Sequence, residues 1–126
     1  MIRVLGLGDF REPRHILLND EIPEEILCEI KSYAESVPRE ESCGVVVLFQ
    51  GNLSFIPCEN LSENRYSNFF IDPNILIDNN VVYIYHSHVD QSSKPSFLDI
   101  KSSKSLCIPY LIYSLRDEDF YLHKCV

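Results

Sequence analysis

Two histidines, a serine and an aspartate follow one another in the pattern H-x-H-x₇-S-x₂-D, whose residue types could hold a metal ion. They are His86, His88, Ser96 and Asp99, in the segment HSHVDQSSKPSFLD. Imidazole and carboxylate groups are common zinc ligands, and a catalytic zinc ion generally keeps three protein ligands and one position for water. We therefore expect His86, His88 and Asp99 to bind one Zn²⁺ ion per chain, as in a zinc hydrolase.

A strand must carry the two histidines. Residues 81–85 form an apolar run of β-branched and aromatic residues directly before His86, and such runs are typical of strands. Residues two apart on a strand point to the same face. His86 and His88 can therefore reach one ion, while Ser87 points away from it.

A short helix is predicted to begin beside Ser96. Pro95 precedes this serine, and residues 96–106 have the polar and apolar spacing of an amphipathic helix. The pair Ser96 and Asp99 also fits a capping box, in which the serine caps the helix and the aspartate returns the hydrogen bond. A purely structural role is thus open for both residues, and the nearby histidines favour a role at a metal.

A zinc hydrolase also needs a base that is not a metal ligand. Residues 43–49 predict a buried strand, and a carboxylate at its beginning would lie beside the core. We select Glu41 as this base, although acidic residues are mostly exposed and Glu41 is also compatible with a solvated surface charge. Cys43 is most simply a small buried thiol.

Together these residues resemble the JAMM family of zinc metalloproteases, also called MPN+ or JAB1/MPN/Mov34, in its bacterial and phage type. The likeness extends over residues 22–124. It includes E-x-C-G from Glu41, the strand ending in H-S-H, S-x-x-D from Ser96, P-C-x-N at 57–60, F-x-I-D-P at 69–73 and a core strand at 108–114. Val89 departs from the pattern, because many relatives have proline after the second histidine.

The resemblance implies a set of roles. Zinc would be held by His86, His88 and Asp99, with Glu41 as general acid/base and Ser96 assisting at the oxyanion. Glu41 would take a proton from water and return it to the departing amine. The implied fold is the JAMM/cytidine-deaminase-like metallopeptidase fold of the α/β (α+β) class.

The order of predicted elements agrees with a mixed β-sheet flanked by helices. We expect one domain over residues 1–126, with an N-terminal extension at 1–19 that contains a strand at 2–7 and a loop at 8–14. Helices are predicted from about residue 22 to Pro38, as a short helix or turn at 73–78, and at 96–106. Strands are predicted at 44–50, 52–57, 68–71, 110–114 and 120–124 and in the run that ends at the histidines.

Composition excludes several classes of function. The 126 residues are 45% hydrophobic, which suffices for one domain with a core. A formal net charge of −8 argues against binding to nucleic acid. Five cysteines without CxxC spacing indicate neither a disulfide framework nor a second zinc site. Neither a signal peptide nor a membrane span is indicated, so we expect a cytoplasmic protein.

The resemblance also implies a protein substrate. We expect hydrolysis of a peptide or isopeptide bond, with processing of a ubiquitin-like conjugate favoured because no cell-wall peptidase domain is present in the sequence. The alternatives are a peptidase of the phage tail-assembly type and a non-catalytic MPN scaffold. The sequence does not fix the oligomeric state.

Overall fold

The computed structural model describes residues 22–125, and in that range the chain forms three helices and five strands. The helices are α1 (Glu24–Ser36), α2 (Pro73–Asp78) and α3 (Phe97–Leu106). The strands are β1 (Cys43–Phe49), β2 (Asn52–Cys58), β3 (Val81–His88), β4 (Tyr110–Ser114) and β5 (Asp119–His123). The N-terminal extension expected at 1–19, with its strand and loop, lies outside the described residues.

The five strands form one mixed sheet in the order β2-β1-β3-β4-β5. β1 runs antiparallel to β2 and to β3, β3 and β4 are parallel, and β5 is antiparallel to β4. A parallel pair needs a crossover connection, and the segment containing α3 provides it. The predicted α+β class and mixed sheet are thus confirmed.

The register between β1 and β3 determines which residues meet at one end of the sheet. Cys43 lies opposite His86, and Gly44 lies opposite Tyr85. The beginning of β1 is therefore beside the end of β3. As a result Glu41, two residues before β1, comes close to the histidine strand.

The core covers both faces of the sheet. On one face α1 buries Ile26, Leu27, Ile30 and Ala34 against a cluster that includes Tyr83 and Tyr85. On the other face Ile84 belongs to a second cluster with Tyr110 and Ile112, against which Phe69 packs. Because side chains alternate along a strand, His86 and His88 continue the face of Ile84. No helix within residues 22–125 has the length and apolar character that crossing a membrane requires.

Most predicted elements are confirmed to within a few residues, but the strand predicted at 68–71 is wrong. That segment is an extended loop between β2 and α2. Its backbone pairs within the loop and with a side chain: Leu61 N donates to Phe70 O at 2.9 Å, and Phe70 N donates to Asn60 Oδ1 at 3.1 Å. The amide of Asn60 therefore takes the place of a neighbouring strand.

Gly44 is a position where a side chain does not fit. A Cβ atom added there would lie 2.5 Å from the carbonyl oxygen of Ile56 and 2.7 Å from the ring of Phe55, both on β2. We expect Gly44→Ala to lower the free energy of unfolding by about 1 to 3 kcal/mol, because a backbone atom must move. Urea unfolding measures this loss. The exposed β2 substitution Ser54→Ala should change stability by less than about 0.5 kcal/mol, and equal stability of both variants would contradict the steric argument.

Candidate metal centre

The structure brings the three predicted metal ligands together. His86 and His88 are buried at the end of β3, and Asp99 is buried in the first turn of α3. One carboxylate oxygen, Oδ1, lies 3.1 Å from His86 Nε2, and the other, Oδ2, lies 3.1 Å from His88 Nε2. One ligand atom from each residue can be chosen so that all three lie within 4.8 Å of one another. This group could bind a metal ion.

The geometry and the donor types fit a zinc ion. Zinc bonds of about 2.0 to 2.2 Å in a tetrahedron place neighbouring ligand atoms roughly 3.3 Å apart, and each imidazole lies 3.1 Å from one of the two carboxylate oxygens. The His86 Nε2 atom is buried and makes no hydrogen bond, because its contact with Asp99 has the distance of an ion pair without hydrogen-bond alignment. A buried polar atom without a partner is costly. A cation between the two side chains would remove that cost.

A backbone carbonyl orients the second histidine. His88 Nδ1 lies 2.7 Å from the carbonyl oxygen of Ser92. This carbonyl can only accept, so Nδ1 carries a proton and Nε2 is the nitrogen that faces Asp99. In the absence of a metal, a protonated Nε2 donates to Asp99 Oδ2, and a cation would take the place of that proton. Ligating histidines in metalloproteins are generally held in this way through their second nitrogen.

The capping box is present and shares its residues with the site. Ser96 Oγ accepts a hydrogen bond from Asp99 N at 3.1 Å, and Asp99 Oδ2 accepts one from Ser96 N at 2.9 Å. The structural interpretation of this pair is therefore confirmed, and the same cap fixes the carboxylate beside the histidines. Because Ser96 Oγ acts as an acceptor here, its own hydrogen remains available to a further group.

Burial and mutual contact determine the charges of the three side chains. Burial lowers the pKa of His86 despite the adjacent carboxylate, which favours the neutral imidazole that a metal requires. Burial opposes ionisation of Asp99 as well, but the contacts with His86 and His88 outweigh it and hold its pKa well below the usual range. For His88, burial lowers the pKa, and the contacts with Asp99 and Ser92 raise it more. Asp99 is thus an anion at neutral pH.

Aromatic rings surround His86. The ring of Phe69 stacks on the imidazole with centroids 4.3 Å apart and an angle of 16° between the planes. Tyr110 contacts the same imidazole edge-on at 5.6 Å. The first histidine is therefore enclosed by apolar surface, whereas His88 borders the open cleft.

Glu41 lies in the same cleft as the candidate metal ligands. This cleft has a volume of about 350 Å³, and His88, Ser96 and Asp99 also line it. The Glu41 side chain is buried, with 7% of the residue exposed. Burial raises the pKa of Glu41 to about 8; His88 lowers it in part, and Asp99 adds an increase smaller than the effect of His88. A carboxyl group that exchanges protons near neutral pH is suited to general acid and base chemistry.

The metal-free protein should lose stability as the pH rises from 4.5 to about 8. In that window the folded state holds a proton on Glu41 that the unfolded chain has released. The free energy of unfolding therefore falls by up to about 1.4 kcal/mol per pH unit. Urea unfolding in the presence of a chelator measures the slope, which Glu41→Gln should reduce. Two histidines contribute to the residual slope. His88 acts in the same direction above pH 6.5 because its pKa is raised, whereas His86 acts in the opposite direction below pH 6.5 because its pKa is lowered.

Glu40→Gln is the matched control for this pH dependence. It removes a neighbouring carboxylate that does not line the cleft, so the wild-type slope should persist. The assignment to Glu41 would be wrong if the two substitutions changed the slope equally.

Sequence reasoning gave no role to Asn60 or to Phe69, although both lie within stretches that carry the family resemblance. The amide of Asn60 is buried and contacts the backbone of Glu41 and of the loop that follows. The signal that the sequence offers for Asn60 is its place in the P-C-x-N stretch, because its burial and its hydrogen-bond partners depend on the tertiary structure.

A cluster of hydroxyl groups joins β1 and β3 on the other face of the sheet. Ser42 N donates to Ser87 Oγ at 2.9 Å, and Ser87 N donates to Ser42 O at 2.9 Å. The hydroxyl of Ser42 also contacts those of Ser87 and Tyr85. Ser42 follows Glu41, and Ser87 separates the two histidines, so this cluster directly adjoins the backbone of the site.

Comparison with known proteins agrees with this architecture. No protein-family model matches the chain. Over 94 residues the chain is 31% identical to Tail tip assembly protein K of Escherichia phage N15. That match covers 71% of this chain, but only 39% of the length of the phage protein.

Three solved structures share the fold. A protein from Desulfitobacterium hafniense has a TM-score of 0.56 at 21% identity, with 73% of this chain and 72% of that chain covered. A protein from Salinibacter ruber has a TM-score of 0.54 at 23% identity, covering 81% and 86%. A JAB1/MPN domain protein from Archaeoglobus fulgidus has a TM-score of 0.53 at 17% identity, covering 79% and 84%. The described residues therefore adopt the α+β fold of a JAB1/MPN domain protein.

Proposed function

We propose that this protein is a zinc-dependent metallopeptidase that hydrolyses a peptide or isopeptide bond. One observation carries the proposal: the His86 and His88 imidazoles converge on the two oxygens of Asp99 at 3.1 Å, inside a cleft that Glu41 also lines. The JAB1/MPN fold supports it.

His86, His88 and Asp99 would hold the zinc ion. When bound, zinc acts as a Lewis acid that favours deprotonation of water at neutral pH and polarises a carbonyl group. Asp99 supplies the one negative charge among the three ligands, and the neutral imidazole of His86 supplies a nitrogen lone pair. Burial of all three side chains limits competition from bulk solvent.

Glu41 is proposed as the group that moves the proton. A cation nearby would favour its carboxylate form, which can accept a proton from the attacking water. The raised proton affinity that burial causes then helps Glu41 to keep the proton until the leaving amine takes it. Both transfers require the carboxylate to face the cleft that would hold water and substrate, and Glu41 lines the cleft beside His88 and Asp99.

Ser96 is proposed to stabilise the developing oxyanion. Its oxygen accepts from Asp99 N, so the hydroxyl hydrogen can be donated to the substrate oxygen as that atom becomes negative. Such donors contribute more in an enclosed site than in water. The capping box thus holds the serine at the edge of the cleft without using its hydrogen.

A polypeptide is the proposed substrate class. Phe97 and Leu98 line the cleft and are 78% and 59% exposed. Large apolar side chains on the surface beside a site are typical of regions that bind another protein. One candidate substrate, implied by the JAMM resemblance, is a conjugate of a ubiquitin-like modifier.

A second candidate function is a role in phage tail assembly. The similarity to Tail tip assembly protein K favours it. Neighbouring genes separate the two candidates: genes for ubiquitin-like, E1-like and E2-like proteins would support deconjugation, whereas tail genes would support assembly.

Metal analysis combined with a cleavage assay tests the proposal. We expect about one zinc ion per purified chain, and cleavage of isopeptide-linked or peptide-linked protein fusions that a chelator abolishes and added zinc restores. Mass spectrometry of the products identifies the bond. A chain that binds no zinc, even when zinc is added, would be a non-catalytic scaffold instead.

A further inference from the structure

We propose that Asn60 is a positioning residue for the metal centre, acting through Phe69 on the orientation of His86. The inference rests on the metal site of the proposed function, but not on the reaction that the site performs. It assigns a role in metal affinity to a residue that lies outside the ligand set.

The Asn60 amide is used to its full hydrogen-bonding capacity. Nδ2 donates to the carbonyl oxygens of Glu41 and Asn68, each at 2.9 Å. Oδ1 accepts from the backbone N–H groups of Ser62 at 2.9 Å and Phe70 at 3.1 Å. An amide offers two donor hydrogens and two acceptor lone pairs, so all four are satisfied in a residue that is only 3% exposed.

These bonds permit one orientation of the amide. A rotation that exchanges its two ends would place Oδ1 against two carbonyl oxygens and Nδ2 against two N–H groups. The side chain is therefore a specific connector between the backbone of Glu41 and the loop at residues 61–70. An aspartate of the same size could not replace it, because aspartate has no hydrogen to donate to the two carbonyls.

The connector holds the loop on both sides of Phe69. Asn68 and Phe70, its two chain neighbours, are each bonded to Asn60. The Phe69 ring then lies on the imidazole of His86 at 4.3 Å. A shift of the loop would therefore move the ring that covers the metal ligand.

The two histidines are oriented by different means. The Nδ1 atom of His88 is fixed by the carbonyl of Ser92 at 2.7 Å. The Nδ1 atom of His86 is buried and makes no hydrogen bond to the residues that the structure describes. Stacking on Phe69, assisted by the edge of Tyr110, therefore takes the place of the hydrogen bond that usually orients a ligating histidine.

Zinc affinity of the full chain, measured by competition with a chromophoric chelator, tests this role. We expect Asn60→Asp to weaken zinc binding by about 10- to 100-fold, the usual cost of losing a group that orients a ligand. A decrease in zinc affinity would be informative, because an added negative charge near a cation would by itself strengthen binding. Asn52→Asp makes the same change at the exposed first residue of β2 and should leave the affinity unchanged.

Phe69→Leu provides a second variant that keeps apolar bulk but removes the stacked ring. It should weaken zinc binding over the same range. The double variant with Asn60→Asp should lose little more than either single one, since both changes act on the same contact. The absorption spectrum of bound Co²⁺ should change in both variants, because the geometry of one ligand changes.

A core variant distinguishes positioning from a general loss of stability. Leu27→Ala removes buried bulk from α1, in the core cluster on the opposite face of the sheet, and should lower the melting temperature while its folded fraction binds zinc with wild-type affinity. The inference is overturned if Asn60→Asp and Phe69→Leu keep wild-type zinc affinity. It is also overturned if Leu27→Ala, at an equal decrease in melting temperature, loses as much zinc affinity as these two variants. If Asn60→Asp does not fold, Phe69→Leu decides. A wild-type chain that binds no zinc would overturn the proposed function as well, whereas peptidase activity has no bearing on this result.

Discussion

Replacement of Glu41 by glutamine should abolish hydrolysis and leave the metal bound. Glutamine has nearly the same shape but cannot accept the proton that water must release, and general acid and base catalysis typically contributes about 10²- to 10⁴-fold to the rate. Zinc should remain because Glu41 is not part of the His86, His88 and Asp99 group. Turnover of a fusion substrate and the zinc content of the same preparation provide the two measurements.

Glu40→Gln is the control for this experiment as well. Glu40 is adjacent in sequence but does not line the cleft, so this variant should retain full turnover. If Glu41→Gln turned over substrate at the wild-type rate, the base would be another residue, and Glu40 would be the first to test.

Asp99→Asn should lose the metal, and activity with it. The substitution removes the anion that faces both imidazoles at 3.1 Å and can turn an N–H group towards one of the nitrogens. We expect zinc affinity to fall by more than roughly 100-fold, since groups that merely orient a ligand already account for about 10- to 100-fold. Isothermal titration or chelator competition measures the dissociation constant.

The fold should survive this second substitution. An asparagine side-chain oxygen can still accept the hydrogen bond from Ser96 N that closes the cap. Asp90→Asn, which makes the same change at an exposed position after β3, is the control and should keep wild-type affinity. Stoichiometric zinc with an unchanged dissociation constant in Asp99→Asn would show that the carboxylate is not a ligand.

The convergence of His86, His88 and Asp99 could be predicted because it depends on local periodicity. The alternation of β3 places His86 and His88 on one face, and the cap at Ser96 places Asp99 one turn into α3. The fold class followed from the same short patterns. Ser96 illustrates the limit of prediction from the sequence, because the spacing S-x-x-D fits both a capping box and a turn that carries a metal ligand. In the structure the same two residues form the capping box and place Asp99 beside the histidines.

Long-range contacts could not be read from the sequence. Residues 68–71 are apolar enough to resemble a strand, but the hydrogen-bond partner of Phe70 is the side chain of Asn60, ten residues earlier. Likewise, Glu41 lines the cleft and Glu40 does not, a difference that depends on where the assembled sheet places the residues before β1. Such pairings depend on the assembled sheet.

The Ser42 and Ser87 hydroxyl cluster has a consequence for the order of folding and metal uptake. It ties the residue after Glu41 to the residue between the two histidines, entirely through protein atoms on the face away from the site. Together with the cap that fixes Asp99, it preorganises the site, unlike zinc fingers, which acquire their structure only when the ion arrives. Removal of zinc should leave a folded apoprotein that reloads without refolding.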